Sequence, residues 1–140
     1  MYRTILVPTD GSIGAERGVE AALDLARRYD ATVHALFVVD ERIYGETPGL
    51  SDVELRFERI EEEGEAFLRE IETRADELEL DVLTVVRRGM PYDVITAYAD
   101  DNDVDLIVMG RHGASAHPAP HIGSCTDRVL RTASVPVLPA

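Results

Sequence analysis

The residues best suited to chemistry in this 140-residue chain gather in two places. Near the N-terminus stands Pro8-Thr9-Asp10-Gly11-Ser12. Near the C-terminus stands Gly110-Arg111-His112-Gly113 and, after nine intervening residues, Gly123-Ser124-Cys125-Thr126. Glycine at 110 and 113 would let the backbone approach a ligand with no Cβ in the way. Gly123 and Ser124 fall where a last helix should begin, and free N–H groups and the positive end of a helix dipole attract phosphate there. Ser124, Cys125 and Thr126 would add backbone amides, and Ser124 and Thr126 hydroxyls as well. A plainer account competes: the glycines make turns and Ser124 caps a helix. For any one glycine the plainer account is the better; for the set, at strand and helix ends, the two stand level. Asp10 reads as a turn or capping carboxylate, or as a general base. Cys125, at a helix start, is either a thiol of lowered pKa or a small packed residue, and packing is preferred. His112, His117 and His121 fall within ten residues, but their spacing fits no zinc pattern. They read as a solvated loop with His112 near phosphate.

These residues need elements to hold them. Arg3 to Val7 is short, β-branched and followed by Pro8, which predicts a buried strand. Ser12 can cap a helix carrying Ala15, Val19, Ala22, Leu23 and Ala26 at helical spacing. The apolar run 31–39 predicts a strand covered on both faces. A polar connection over 40–50 ends at a capping-box pattern, Ser51 to Glu54. A long helix follows, with Val53, Phe57, Ile60, Phe67, Ile71 and Leu78 on one stripe. Strands are expected at 82–86, 105–110 and 135–138. A helix opened by Pro91 carries Val94, Ile95, Tyr98 and Ala99, and a final helix carries Val129 and Leu130. This strict alternation predicts a single α/β domain over 1–140, a mostly parallel sheet with right-handed crossovers and helices on both faces. In such a sheet, ligands bind beyond the carboxyl ends of the strands, where the strand order reverses.

The set of motifs resembles the universal stress protein family, in its ATP-binding branch. Four features carry the likeness: Pro8-Thr9-Asp10-Gly11-Ser12 after the first strand, Val38-Val39-Asp40 after the second, the spacing of Gly110, Gly113, Gly123 and Ser124, and the closing Val135-Pro136-Val137-Leu138. The resemblance covers essentially the whole chain. It implies a doubly wound, five-stranded sheet of order 3-2-1-4-5, with Asp10 and Gly110 on one crevice. It further implies that Asp10 accepts from ribose hydroxyls, that the Val38 backbone meets the adenine edge, and that Pro8, Thr9 and Met109 line the base and sugar. Gly113, Gly123, Ser124, Cys125 and Thr126 would then hold the phosphates of ATP with Mg²⁺, and Gly110, Arg111 and His112 would complete the nucleotide site. The stretch between Gly113 and Gly123 departs from the family in carrying two prolines and two histidines. The resemblance also implies a homodimer paired through the last strand, a seam that Pro139 would shorten or alter.

Composition narrows the field. With 27 acidic and 14 basic residues the formal charge is −13, which disfavours nucleic acid and anionic membranes. Every basic residue is arginine. The acids are spread along the chain, so a surface adapted to a salty cytoplasm is preferred to an acidic partner-binding face. No apolar run approaches the roughly 18 residues that span a bilayer, and one cysteine makes no intrachain disulfide; a cytoplasmic protein fits both. There is no Gly-x4-Gly-Lys-Ser/Thr loop, so fast phosphoryl transfer is not expected. The function expected is an ATP-binding, stress-response regulatory protein whose nucleotide state modulates conformation or partners. The alternatives are a slow ATPase and a scaffold that has lost its nucleotide. The salt reading has its own test: the thermal midpoint, followed by circular dichroism, should rise steadily from low to molar KCl as acidic self-repulsion is screened. A flat or falling midpoint removes that reading.

Overall fold

The computed structural model describes residues 2–44, 50–112 and 123–140, with the side chains of 43, 44 and 50–52 left aside. Among the described residues, five strands and four α-helices alternate: β1 (Thr4–Thr9), α1 (Ile13–Tyr29), β2 (Thr32–Asp40), a 3-10 turn (Glu41–Tyr44), α2 (Leu50–Glu77), β3 (Val82–Gly89), α3 (Pro91–Asp101), β4 (Leu106–Met109), α4 (Ser124–Thr132) and β5 (Val137–Pro139). Every strand pair is parallel, in the order β3-β2-β1-β4-β5. The order and the alternation are those expected. Helices α1 and α2 cover one face over Ile5, Val7, Val33, Ala35, Phe37 and Val39. The other face, with α3 and α4, buries Leu6, Leu36, Ile95, Ile107 and Val129. Alternation along each strand thus sends successive apolar side chains into two cores.

The local signals mostly act as their chemistry requires. The Ser12 hydroxyl caps α1, accepting from the Ala15 amide at 3.1 Å. Pro91 opens α3, where a missing N–H costs nothing. Helix α2 begins at Leu50, one residue ahead of the expected cap, and ends at Glu77, which leaves Leu78 beyond it. Its buried stripe includes Leu68 and Ala75 as well as Ile71.

Strand ends differ instructively. β3 runs on to Gly89 because β2 keeps pairing with it as far as Asp40. β1 runs through Pro8 and Thr9, which pair with Leu36 and Phe37 of β2. On its other side the β1–β4 ladder stops at Leu6 and Ile107. The reason is Pro8. The Asp105 amide donates to the Thr4 carbonyl, so even-numbered residues of β1 face β4, and at Pro8 there is no N–H to give. The two strands therefore cease to pair at their carboxyl ends, at the position where strand order reverses.

The outer edge of the sheet at β3 is guarded. The Val33 amide donates to the Asp81 carbonyl, so by alternation the even residues of β3 turn their backbone groups outward. The outward Val86 carbonyl accepts from the Arg87 guanidinium at 3.1 Å. Arg88 reaches back to α2, paired with Glu54 and Glu61 and lying 5.2 Å over the Phe57 ring. Charged arginines on an edge discourage a foreign strand from adding there.

Helix α1 sits unusually close to the end of β4. A Cβ on Gly110 would stand 2.1 Å from the Gly14 carbonyl oxygen, and one on Gly18 would stand 2.8 Å from the Gly110 nitrogen. These neighbours are backbone and cannot swing aside. Gly110→Ala should therefore lower the unfolding free energy by about 1–3 kcal/mol, the usual cost of overpacking, read from urea titration. An unchanged urea midpoint would show that the contact is not tight.

Candidate functional site

The crevice begins where β1 and β4 part. After β1 the chain turns sharply: the Thr9 hydroxyl accepts from the Gly11 amide at 3.2 Å, and one Asp10 carboxylate oxygen accepts from the Ser12 amide at 2.9 Å. Gly11 has φ of +79°, a conformation glycine adopts freely, and a Cβ there would also strike the Phe67 ring of α2. Pro8 and Thr9 are buried, whereas Asp10 is exposed at the rim. The carboxylate is thus oriented by the turn and open to solvent on the same side as the strand ends.

The opposite wall is built by β4 and α4. Met109 and Gly110 are buried at the end of β4. The absent side chain of Gly110 makes room for α1, as described, so packing alone accounts for glycine at this position. The Arg111 backbone bridges two elements, its amide donating to the Ala140 carbonyl and its carbonyl accepting from the Gly123 amide. The His112 carbonyl lies against Gly14 of α1. Gly113 and the histidines at 117 and 121 lie outside the described residues, as does the expected departure between 113 and 123. Among the described residues, no group of three or more His, Cys, Asp or Glu is placed to hold a metal ion.

Helix α4 starts where the sequence predicted. Gly123 is its N-cap, and no side chain caps the amides of the first turn from that position. Ser124 is exposed. Thr126 is buried, and its hydroxyl donates to the Gly110 carbonyl at 2.7 Å. That hydroxyl fastens α4 to the end of β4, and Thr126 keeps only its backbone amide for a ligand. Cys125 packs beside the core under α3 and α4. Burial pushes its thiol up to about 11; Arg42 pulls it down, and Asp10 and Asp40 push it up. The thiol is the packed residue, not an activated nucleophile.

Sequence reasoning passed over two residues. Arg42, in the turn after β2, grips Asp40 with its side chain and its amide at 2.8–3.0 Å. Its hydrogen bonds hold the Asp40 carboxyl below the usual carboxylate range. An Asp-x-Arg spacing just past a strand end was the available signal. Phe67, expected only as a member of the α2 stripe, forms part of the wall behind Gly11. Val38 is half-buried next to Asp40 at the end of β2. The site residues thus come from the ends of β1, β2 and β4 and from the start of α4.

A doubly wound α/β chain with its rim residues at the reversal of strand order is a fold of small-molecule crevices. The universal stress protein family profile matches residues 1–139, and the chain belongs to that family. A universal stress protein of Methanocaldococcus jannaschii, MJ0531, is 33% identical over 99% of this chain and 81% of its own length. The solved structure of MJ0577, from the same organism, superposes with a TM-score of 0.90 at 28% identity, over 100% of this chain and 96% of that one. A universal stress protein crystallised in complex with cAMP superposes at a TM-score of 0.70 and 27% identity, over 99% of this chain and 96% of that one. Among the described residues, no helix is long and apolar enough to cross a membrane.

The raised Cys125 pKa makes a direct prediction. At pH 7.5 the folded protein should be alkylated by iodoacetamide more slowly than free cysteine, and unfolding in urea should abolish the difference. Faster alkylation in the folded state would contradict the buried, neutral thiol.

Proposed function

We propose that this chain is a cytoplasmic regulatory protein that binds an adenine nucleotide, ATP with Mg²⁺, in the crevice between β1 and β4. The observation that carries the reading is the start of α4: a glycine N-cap, a first turn uncapped by any side chain at that position, and an anchor to β4 that sets those amides beside the parting of the strands. Backbone amides at a helix N-terminus suit phosphate. In this reading the amides of Ser124, Cys125 and Thr126, with Gly110, Arg111, His112, Gly113 and Gly123, embrace the phosphates. Asp10 receives the ribose hydroxyls, the Val38 backbone meets the base, and Pro8, Thr9 and Met109 line the pocket floor. The cAMP complex of a relative supports an adenine ligand. The nucleotide would act by favouring one of two conformations or assemblies through differential affinity.

A homodimer paired along β5 fits the same reading. The Ile107 amide donates to the Pro136 carbonyl and the Ala140 amide to the Met109 carbonyl, so Val137 and Pro139 face outward. Val137 offers a full pair of backbone groups to a second copy, and Pro139 only a carbonyl, which makes a short seam.

Two measurements test the nucleotide. Mass spectrometry of the purified, denatured protein should reveal adenine nucleotide, and calorimetry on stripped protein should show saturable ATP binding. Ser124→Pro removes one amide at the first helical position, where proline is tolerated, and the extended backbone of Gly123 (φ −61°, ψ 154°) accepts it. This variant should weaken ATP binding by about tenfold, the loss of one charge-assisted hydrogen bond, with its melting temperature nearly unchanged. Absence of both co-purified nucleotide and ATP binding in the wild-type protein would leave the scaffold alternative.

A further inference from the structure

Helix α2 is held to the sheet in two different ways along its length. From Gly64 onward it is held by burial. Gly64, Leu68, Ile71 and Ala75 are buried, and a Cβ on Gly64 would stand 2.3 Å from the Phe37 ring of β2. Polar ties lie beside these residues: Thr84 of β3 donates to Glu72 at 2.7 Å, and Arg74 pairs with Glu16 of α1. Over 53–63, by contrast, no residue is buried. Val53, Phe57 and Ile60 are half-buried, and Phe57 and Ile60 meet the core only at its margin.

Arg88, near the end of β3, reaches this first half from the sheet. Its Nη1 and Nη2 donate to the two carboxylate oxygens of Glu54 at 3.1 and 2.9 Å, and its Nε donates to Glu61. The guanidinium carbon lies 5.2 Å from the centre of the Phe57 ring. Residues 54, 57 and 61 follow the spacing i, i+3, i+7, so they share one helix face over successive turns. One guanidinium thus spans most of the unburied half. The Arg88 and Glu61 side chains are only 30% and 29% exposed, which shelters their pairing from solvent ions.

Left to itself, the segment is a poor helix. Glu54 and Glu58, Glu58 and Glu62, and Glu61 and Glu65 place like charges four residues apart, against one opposite pair at that spacing, Arg59 and Glu63. Parts of a fold with few buried apolar contacts are the parts that open locally. We infer that residues 53–63 of α2 form a strap that opens and closes independently of 64–77, with Arg88 as its clasp and Gly64 at the border. Opening parts Glu54, Phe57 and Glu61 from Arg88 together. It bares the apolar stripe of Val53, Phe57 and Ile60 and releases a guanidinium at the end of β3.

Hydrogen–deuterium exchange of the full chain, read by mass spectrometry, tests the strap. The proteins compared are the wild type, Arg88→Met, the double variant Glu54→Gln/Glu61→Gln, and the three changes combined. Methionine keeps an unbranched stem against Phe57 and removes the charge. In Arg88→Met the amides of 55–63 should exchange about tenfold faster, the loss expected for two partly exposed ion pairs and a cation–π contact. Those of 66–77 should stay within twofold. The carboxylate double variant should give the same local acceleration from the other side of the clasp. Added to Arg88→Met, it should bring less than a further twofold change, because the shared partner is already gone. Unchanged exchange over 55–63 in both Arg88→Met and the double variant overturns the inference. Equal acceleration over 66–77 does so too, since the helix then opens as one piece. A full additive effect of the carboxylate changes in the Arg88→Met background removes Arg88 as the clasp.

Discussion

The geometry of this molecule turns on a near contact between two backbones. Helix α1 lies against the end of β4 with nothing but glycine between them, at Gly14 and Gly18 on one side and Gly110 on the other. A single methyl at Gly110 would meet a carbonyl oxygen, so the spacing admits no substitute that leaves both elements where they are. Because α1 also begins at the Ser12 cap just past β1, the same contact fixes the Asp10 turn relative to the loop leaving β4. Pro8 completes the arrangement by ending the ladder between the two strands. Close packing below and a broken ladder above put two turns at one rim, with a gap between strands that are otherwise central and fully paired.

Charge is distributed around that rim in a way the net balance of the chain would not suggest. Carboxylates at 10 and 40 and an arginine at 42 all act on one thiol in the first turn of α4. The thiol itself contributes no charge near neutral pH, being held protonated by burial. What remains is a set of fixed poles around a helix terminus whose own dipole is positive. Such poles cost no reorganisation when a charged group arrives, since the turn after β1 and the turn after β2 already orient their carboxylates through backbone amides.

Much of this could be read from residue order. Alternating apolar and amphipathic stretches gave the layer architecture, Ser12 and Pro91 marked two helix starts, and Gly123-Ser124 marked a third. These are signals between residues close in the chain. Most of the misses are long-range. Strand 82–86 extends to Gly89 because β2 continues beside it, and β1 passes through proline because only one of its two neighbours needs that donor. Gly110 was weighed as an approach point for a ligand, whereas its missing side chain is filled by a helix nearly a hundred residues earlier in the chain. The Thr126 hydroxyl was assigned to phosphate and is occupied by the carbonyl of Gly110. Arg42 escaped notice because a lone arginine in a polar turn looks like any surface charge until its partner and its neighbours across the crevice are known.

The two borders of the sheet are treated unequally. At β3, arginine side chains fold over an outward carbonyl and brace against α2, whereas β5 is a three-residue strand with no comparable arginine contact among the described residues. In the proposed homodimer, strand addition would thereby be steered to the β5 flank. Two copies meeting there about a two-fold axis would use up each other's open flank and leave two guarded ones outside, so the union is finite. The same arginines that look like incidental surface charge would thus draw the line between a closed pair and an endless ribbon.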